Sequence, residues 1–414
     1  MALHKLRIAS GLAVGLMAGT VLLATPALDW GVAHAQKFAE AKKKAEKKAP
    51  SPKETPKEQA ERPAFTAEEA EVAVIPGIPD ARVWGDSETD FTRLLPTVSG
   101  PWLAISGGGS DGAYGAGILT GWSESGKRPE FAAVTGSSIG SLVAPFAFLG
   151  PRYDEEIKKN FTTITAADIF EDHITRDSLF DYWPLKRLIE QKVTPKLLSE
   201  IAAEHARGRR LFVATTNLDA GRRVLWNMGA IATKGDEKAL KLFRDVLLAS
   251  CAIPGIFSPV GIEVEANGKR FEEMHNDGTL TAPFFVIPES MFSAGSTSRP
   301  PLTQLYVIVN SKLAPEFQMP PRNIAGVLGR SIAVALTAAL RAEVMLIYVA
   351  AERQGIGLHL AHVDPTFNMP SRGPFDGKYM QALYERGVEA GKKGTAFEDA
   401  TPDLSMRGSS NAQQ

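Results

Sequence analysis

Cysteine is nearly absent: Cys251 is the only one in 414 residues. That excludes an internal disulfide and any metal cluster built on cysteine. Cys251 lies in an apolar run, where a free thiol is usually a small buried hydrophobe. Net charge is missing too, because 46 Lys and Arg face 47 Asp and Glu. No global field therefore favours nucleic acid or an acidic partner. No internal repeat is evident. Histidine is scarce, and beyond residue 36 only His173, His205, His275, His359 and His362 remain. The length exceeds one average domain without requiring two. An apolar share of 44% is ordinary for a chain that builds a buried core.

What is present begins at the N-terminus. His4, Lys5 and Arg7 precede an apolar stretch over residues 8–28. Ala33-His34-Ala35 then places small residues at the two positions a signal peptidase reads. Residues 1–35 are expected to be a signal peptide cleaved before Gln36. An uncleaved anchor is the alternative, since roughly twenty apolar residues can span a bilayer. Against it, Gly and Thr dilute the stretch and Pro26 interrupts it. The expectation is an exported protein: periplasmic, associated with the outer membrane, or secreted.

Residues 36–65 are rich in Lys, Glu, Ala and Pro. They cannot bury enough apolar surface to offset their ordering entropy, so a disordered linker is expected. Residues 66–99, where Pro76, Pro79 and Pro96 oppose a long helix, read as an irregular extension packed on the main domain. That domain is expected over 100–394, with a disordered tail over 395–414.

Short apolar, β-rich runs at 102–106, 131–135, 210–215, 224–228, 270–273, 305–310 and 358–363 read as strands. Helical spacing is expected at 113–123, up to 148, mainly over 154–198 with breaks at Pro184 and Pro195, and at 244–251, 323–354 and 377–391. Strands alternating with helices argue for an α/β layer fold with a largely parallel sheet.

Two stretches match Gly-x-Ser-x-Gly: Gly108-Gly109-Ser110-Asp111-Gly112 and Gly136-Ser137-Ser138-Ile139-Gly140. A serine between glycines can occupy a sharp strand-to-helix turn that presents its hydroxyl to substrate. Asp111 beside Ser110 would oppose negative charge developing on a substrate, whereas Ile139 beside Ser138 is neutral. Ser138 is the better nucleophile. The first stretch, with Gly107, Gly108 and Gly109, exposes backbone N–H groups at a helix start, which suits a phosphate or an oxyanion. Neighbouring parallel strands would bring both loops to one sheet edge. A base is still needed. His359 and His362 border a late strand, as in a Ser-Asp-His triad. Asp277, in Met274-His275-Asn276-Asp277-Gly278, offers another route, although an Asp-Gly pair alone is often only a turn. His173 and His205 read as surface residues.

In order, these elements resemble those of patatin-like phospholipases: a Gly-x-Gly-x-x-Gly loop, a Gly-x-Ser-x-Gly turn, then Asp-Gly. Between the last two, Ala249-Ser250-Cys251-Ala252-Ile253-Pro254-Gly255-Ile256-Phe257-Ser258-Pro259 is similar to that family's Ala-Ser-x-Ala-x-Pro-x-x-Phe-x-Pro stretch. The resemblance implies a three-layer α/β/α fold and hydrolysis of lipid acyl esters by a Ser–Asp dyad, with no cofactor and no metal. Ser138 becomes the nucleophile and Asp277 the base. Gly107, Gly108, Gly109, Ser110, Asp111 and Gly112 form the oxyanion hole, and Gly136, Gly140 and Gly278 support the turns. Two positions depart from the family: Asp111 stands where many members have Arg or Lys, and Thr279 where many have Gly or Ala.

The implied partner is a phospholipid or another acyl-ester lipid, with transient membrane contact and no nucleic acid. Phe284-Phe285-Val286-Ile287 and Met291-Phe292 would supply an apolar rim or a buried strand. Residues 324–351, carrying Arg330, Arg341 and Glu343, read as a packed helix rather than a span. Without histidine, a Ser–Asp pair is expected to lack an acidic limb at the ordinary histidine pKa of about 6.5. The rival reading is a lipid- or nucleotide-binding protein without turnover. Against a nucleotide, Asp111 adjoins the loop and no P-loop lysine follows it.

Overall fold

Apolar runs bounded by glycine and proline become the strands of one sheet. The computed structural model describes residues 62–171, 178, 180–292, 296 and 298–398. The expected signal peptide, the linker up to residue 61, His173 and the tail beyond 398 lie outside the described residues. The strands are β1 (Arg82–Trp84), β2 (Gly100–Ile105), β3 (Ala133–Ser137), β4 (Arg210–Asn217), β5 (Arg222–Asn227), β6 (Val260–Ala266), β7 (Lys269–Asp277), β8 (Leu302–Val309) and β9 (Gly357–His362).

The described helices are α1 (Ala67–Glu71), α2 (Glu88–Arg93), α3 (Gly112–Glu124), α4 (Ile139–Leu149), α5 (Asp154–Thr162), α6 (Trp183–Lys192), α7 (Pro195–Ala206), α8 (Met228–Lys234), α9 (Glu237–Ser250), α10 (Ile324–Gln354) and α11 (Gly377–Lys393).

The sheet order is β1-β5-β4-β3-β2-β8-β9, with β7 on β4 and β6 on β7. β4, β3, β2, β8 and β9 are parallel, and the remaining pairs are antiparallel. β3 is buried along its whole length, as expected for a parallel strand covered on both faces. Apolar side chains of α3, α4, α7, α8, α9 and α11 form a core on one face. On the other face α2, residues 282–291 and part of α10 form a second. The architecture is three layers, α/β/α, as expected. Chain order reverses between β2 and β8, so the carboxyl edge there forms the crevice where open α/β sheets bind ligands.

Several local expectations change. Pro184 and Pro195 begin helices α6 and α7 rather than breaking one, because proline's missing N–H costs nothing in a first turn. Asp236 caps α9 through Ala239 N and starts it well before residue 244. Antiparallel β6, whose burial alternates, was not anticipated. Residues 66–99 contribute the edge strand β1. Arg62 pairs with Asp219, and Phe65 stacks on Phe271, so the expected linker's end is docked. At the other end Glu398 bridges to Leu360 and Phe397 packs on Trp122, so the first residues of the expected tail are held. His205 is half-buried against Gly229 rather than exposed, and burial, helped by Arg210, pulls its pKa down to about 4.

Phe284, Phe285, Val286, Ile287 and Met291 are core residues, not a rim. Helix α10 is packed over only part of its length: Leu340, Val344 and Ile347 join the core, whereas Val327 and Val334 stay exposed.

The N-terminal extension is locked to the sheet by a buried ion pair. Arg82 reaches both carboxylate oxygens of Glu273 on β7 and the carbonyl of Ala73. Arg82→Met would leave the Glu273 carboxylate buried with His275 as its remaining partner, a loss of up to about 3–5 kcal/mol. Chemical denaturation should show the midpoint falling accordingly.

Candidate active site

Asp277 and Ser138 meet because two strands share one side of β4. β3 pairs with β4 up to Ser137 opposite Ala214. β7 arrives in the opposite direction and pairs over the next residues, Asp277 opposite Thr215. The end of each strand therefore abuts the other. Ser138 takes φ 52° and ψ −129°, a conformation that side chains avoid unless surroundings impose it. It leads directly into α4. Gly136 and Gly140 are required by close packing, because a Cβ there would lie 2.5 Å from Gly140 O and 2.4 Å from Ile105 O.

Ser138 Oγ donates to Asp277 Oδ2 at 2.6 Å. The other carboxylate oxygen accepts from Thr279 N at 2.8 Å and Thr279 Oγ1 at 2.6 Å. Asp277 is 1% exposed and Ser138 8%. Burial pushes the Asp277 carboxyl up to about 6, against the hydrogen bonds from Ser138 and Thr279 that favour its charged form. The Thr279 departure thus fixes the carboxylate's orientation. Its backbone fits as well, for Thr279 is not among the described positive-φ residues. A Cβ at Gly278 would strike Ala214 O at 2.3 Å.

The glycine loop lies against this pair. A Cβ on Gly107 would stand 3.0 Å from Ser138 Cβ and 2.3 Å from Thr279 Cγ2. The six expected oxyanion residues are not equivalent. Gly107 N–H donates to Pro283 O, Asp111 N–H to Gly108 O and Gly112 N–H to Gly109 O. Among the described residues the N–H groups of Gly108, Gly109 and Ser110 have no acceptor, as at any helix start. These three are the available donors. Gly109, at φ 55°, faces open space. Ser110 Oγ accepts from Phe375 N and Asp111 Oδ1 from Tyr379 Oη, both at 2.8 Å. Their side chains tie the loop to α11 and the turn before it. Burial pushes Asp111 up to about 7, which weakens the charge its carboxyl would set beside the loop.

Sequence reasoning missed a supporting shell. Ser250 Oγ accepts from Ser138 N at 3.0 Å and donates to Ala214 O at 2.8 Å. Ala252 O accepts from Asp277 N at 3.0 Å. The quoted 249–259 stretch therefore holds both halves of the pair, which its spacing alone did not reveal. Fully buried Asn310 ends β8 and bonds Ser106 and Gly115. Its carbonyl leaves no room at Gly108, where a Cβ would lie 2.0 Å away; the only sequence hint was an amide closing an apolar run.

Histidines stand apart. His275 bonds Thr215 and Glu273, His359 stacks on Tyr306, and His362 bonds Val363 O. Among the described residues no histidine bonds to Ser138 or Asp277. A cavity of about 830 Å³ lies elsewhere, by Ala166, Phe170 and Trp183. A smaller apolar crevice, about 40 Å³, is lined by Ile139, Leu142, Phe161, Ile164, Leu188 and Val193, and neither Ser138 nor Asp277 lines it.

Residues 103–288 match the family model described as Patatin-like phospholipase. That match spans β2 to the segment after the Asp277 turn and contains the whole Ser–Asp arrangement. Among solved structures, the crystal structure of VipD from Legionella pneumophila is similar at 12% identity and a TM-score of 0.36. The similarity covers 76% of this chain and 70% of that one, and is too weak to bear on function. No curated protein matches the chain.

Ser250→Ala would leave the Ser138 N–H buried without an acceptor, costing about 1–3 kcal/mol. Gly108→Ala would force its Cβ into Asn310. Both variants should unfold at lower denaturant than the wild type, and the amide signals of residues 136–140 should shift in Ser250→Ala.

Proposed function

We propose that the protein is a serine lipid acyl hydrolase that cleaves carboxylic ester bonds through Ser138 and Asp277. The supporting observation is the 2.6 Å hydrogen bond between Ser138 Oγ and the buried Asp277 carboxylate, next to unsatisfied loop amides. The patatin-like match over 103–288 points to the same chemistry.

In this reading Asp277 Oδ2 takes the Ser138 proton as Oγ attacks the ester carbonyl. The N–H groups of Gly108, Gly109 and Ser110 face the developing oxyanion, each worth about 3 kcal/mol where well placed. The carbonyl re-forms, the alcohol leaves with the proton from Asp277, and an acyl-enzyme remains. Water, deprotonated by Asp277, then releases the acid. Export and the dyad's role belong to this proposal, as does a lipid at a membrane surface.

Ser138→Ala should reduce p-nitrophenyl ester turnover to background, and Asp277→Asn by about 10²–10⁴-fold. Ser110→Ala, His359→Ala and His362→Ala should each stay within a few-fold of wild type. Loss in either histidine variant would restore the triad.

Activity should fall below pH about 6, as the raised Asp277 carboxyl protonates. This limb lies so close to a histidine's that pH alone no longer separates dyad from triad, contrary to the expectation from sequence. The same shift has a cost in stability. Between the ordinary aspartate value of 3.8 and about 6 the folded state binds more protons than the unfolded one, so stability falls as pH rises through that window. Asp277→Asn removes the buried charge and should raise the thermal midpoint at pH 8. The gain would be on the order of 2–3 kcal/mol.

A further inference from the structure

Helix α10 is 31 residues long, far more than the sheet needs. Its C-terminal half packs on the sheet, Leu340, Val344 and Ile347 sharing a core with Leu305, Val307 and Val309 of β8. Arg341 Nη1 donates to Leu313 O at 2.8 Å, just past the carboxyl end of β8. The helix runs antiparallel to β8 and β9, so residues 324–340 project past that edge by roughly 24 Å at 1.5 Å per residue. Ser138 and Asp277 lie at the same edge.

This projecting half has no charge between Arg330 and Arg341. Val327 and Val334 are 52% and 51% exposed, Ala335, Ala338 and Ala339 are exposed, and Ile332 and Leu336 are half-exposed. A helix facing water on one side normally carries polar residues there; this one does not. Its hydroxyls are satisfied internally, Ser331 Oγ by Val327 O and Thr337 Oγ1 by Ala333 O, so they place no demand on an apolar surrounding. Beside it the linker from Asn310 presents Phe317 and Met319, 92% and 80% exposed. Arg330 Nη2 pins that linker through Glu316 O at 2.6 Å. Arg322 is exposed just before the N-cap Asn323, at the outer end of the same tip, where a guanidinium can meet headgroup phosphates.

We infer that this tip, Phe317 and Met319 with the N-terminal half of α10, inserts into one leaflet of a lipid bilayer and presents the Ser138 edge to it. The inference rests on the lipid-ester reading for its purpose, but not for its geometry. Helix Gly329–Gln354 is long and apolar enough to cross a membrane by composition, yet its second half commits the face of Leu340, Val344 and Ile347 to the core and carries Arg341 and Glu343, although Met345, Leu346 and Val349 on its other face are exposed. Insertion is therefore partial, as for helices that lie in the interface.

The test uses the full chain with Ser138→Ala, so that lipid is not consumed. An environment-sensitive fluorophore is attached through Phe317→Cys or, as a control at the far end of α10, through Glu352→Cys. Cys251 is buried and leaves one reactive thiol. With phosphatidylcholine vesicles the probe at 317 should shift to the blue and be quenched by brominated acyl chains, while that at 352 should not. Equal responses, or none at 317, would overturn the inference.

With Ser138 restored, Met319→Ser/Val334→Asp should reduce turnover of vesicle lipid by roughly tenfold or more. Hydrolysis of a soluble short-chain ester and the thermal midpoint should stay as in wild type. An unchanged ratio of the two activities would count against it, as would light scattering in which that variant turns a dimer into a monomer, for the face would then belong to a second copy. If no ester is turned over but the probe at 317 still inserts, the docking surface stands and the hydrolase reading falls.

Discussion

Two strands of opposite direction cannot pair with the same residues of β4, and the site exists because they meet end to end along one side of it. β3 ends at Ser137 where β7 ends at Asp277, so neither chain can continue. Ser138 must turn within one residue, which is why it holds φ 52°. No Cβ can be accommodated at Gly136, Gly140 or Gly278, each of which lies against a backbone carbonyl. The 2.6 Å contact between Oγ and Oδ2 is then a consequence of register rather than of two flexible side chains finding each other.

Such a junction buries polar groups that the ladders of β3 and β7 no longer satisfy, and a buried orphan is costly. The remedy is local. Ser250 takes the Ser138 N–H and Ala252 the Asp277 N–H, while Thr216 Oγ1 donates to Asp277 O. Thr279 holds one carboxylate oxygen and leaves the other to Ser138. Asn310 does the same service for the glycine loop from the opposite side of β2. Each of these groups fixes a reacting neighbour by satisfying its backbone, so stability and geometry are supplied by the same bonds.

This explains what the sequence could reveal. Gly-x-Ser-x-Gly, the glycine loop and Asp-Gly are local turns, and local turns leave local patterns; that Ser138 and Asp277 could meet was legible for that reason. Ser110 was set aside because of its neighbour Asp111; Asp111 points toward Tyr379 rather than into the loop, and it is the Ser138 hydroxyl that bonds Asp277. Which amides of residues 107–112 remain open was not legible, because it depends on Pro283 O taking the Gly107 N–H across the fold. Nor were the roles of Ser250 and Asn310, whose partners lie on other strands. Apolar runs gave strands correctly but not their surroundings: Phe284 to Ile287 and the front of α10 are equally apolar, and only packing places one inside and the other out.

Three features of this edge oppose stability. Ser138 sits in a strained conformation, Asp277 keeps a carboxyl that burial disfavours in its charged form, and α10 extends a half with no charge between Arg330 and Arg341 beyond the sheet that supports it. A fold selected only to persist would relax each of them: a glycine at 138, an amide at 277, a shorter helix or a charged one. All three occur on the same side of the molecule. Local conflict with folding is where function is usually found. On the proposed reading the first two belong to a serine activated by a carboxylate, and the third to a helix that meets lipid rather than water.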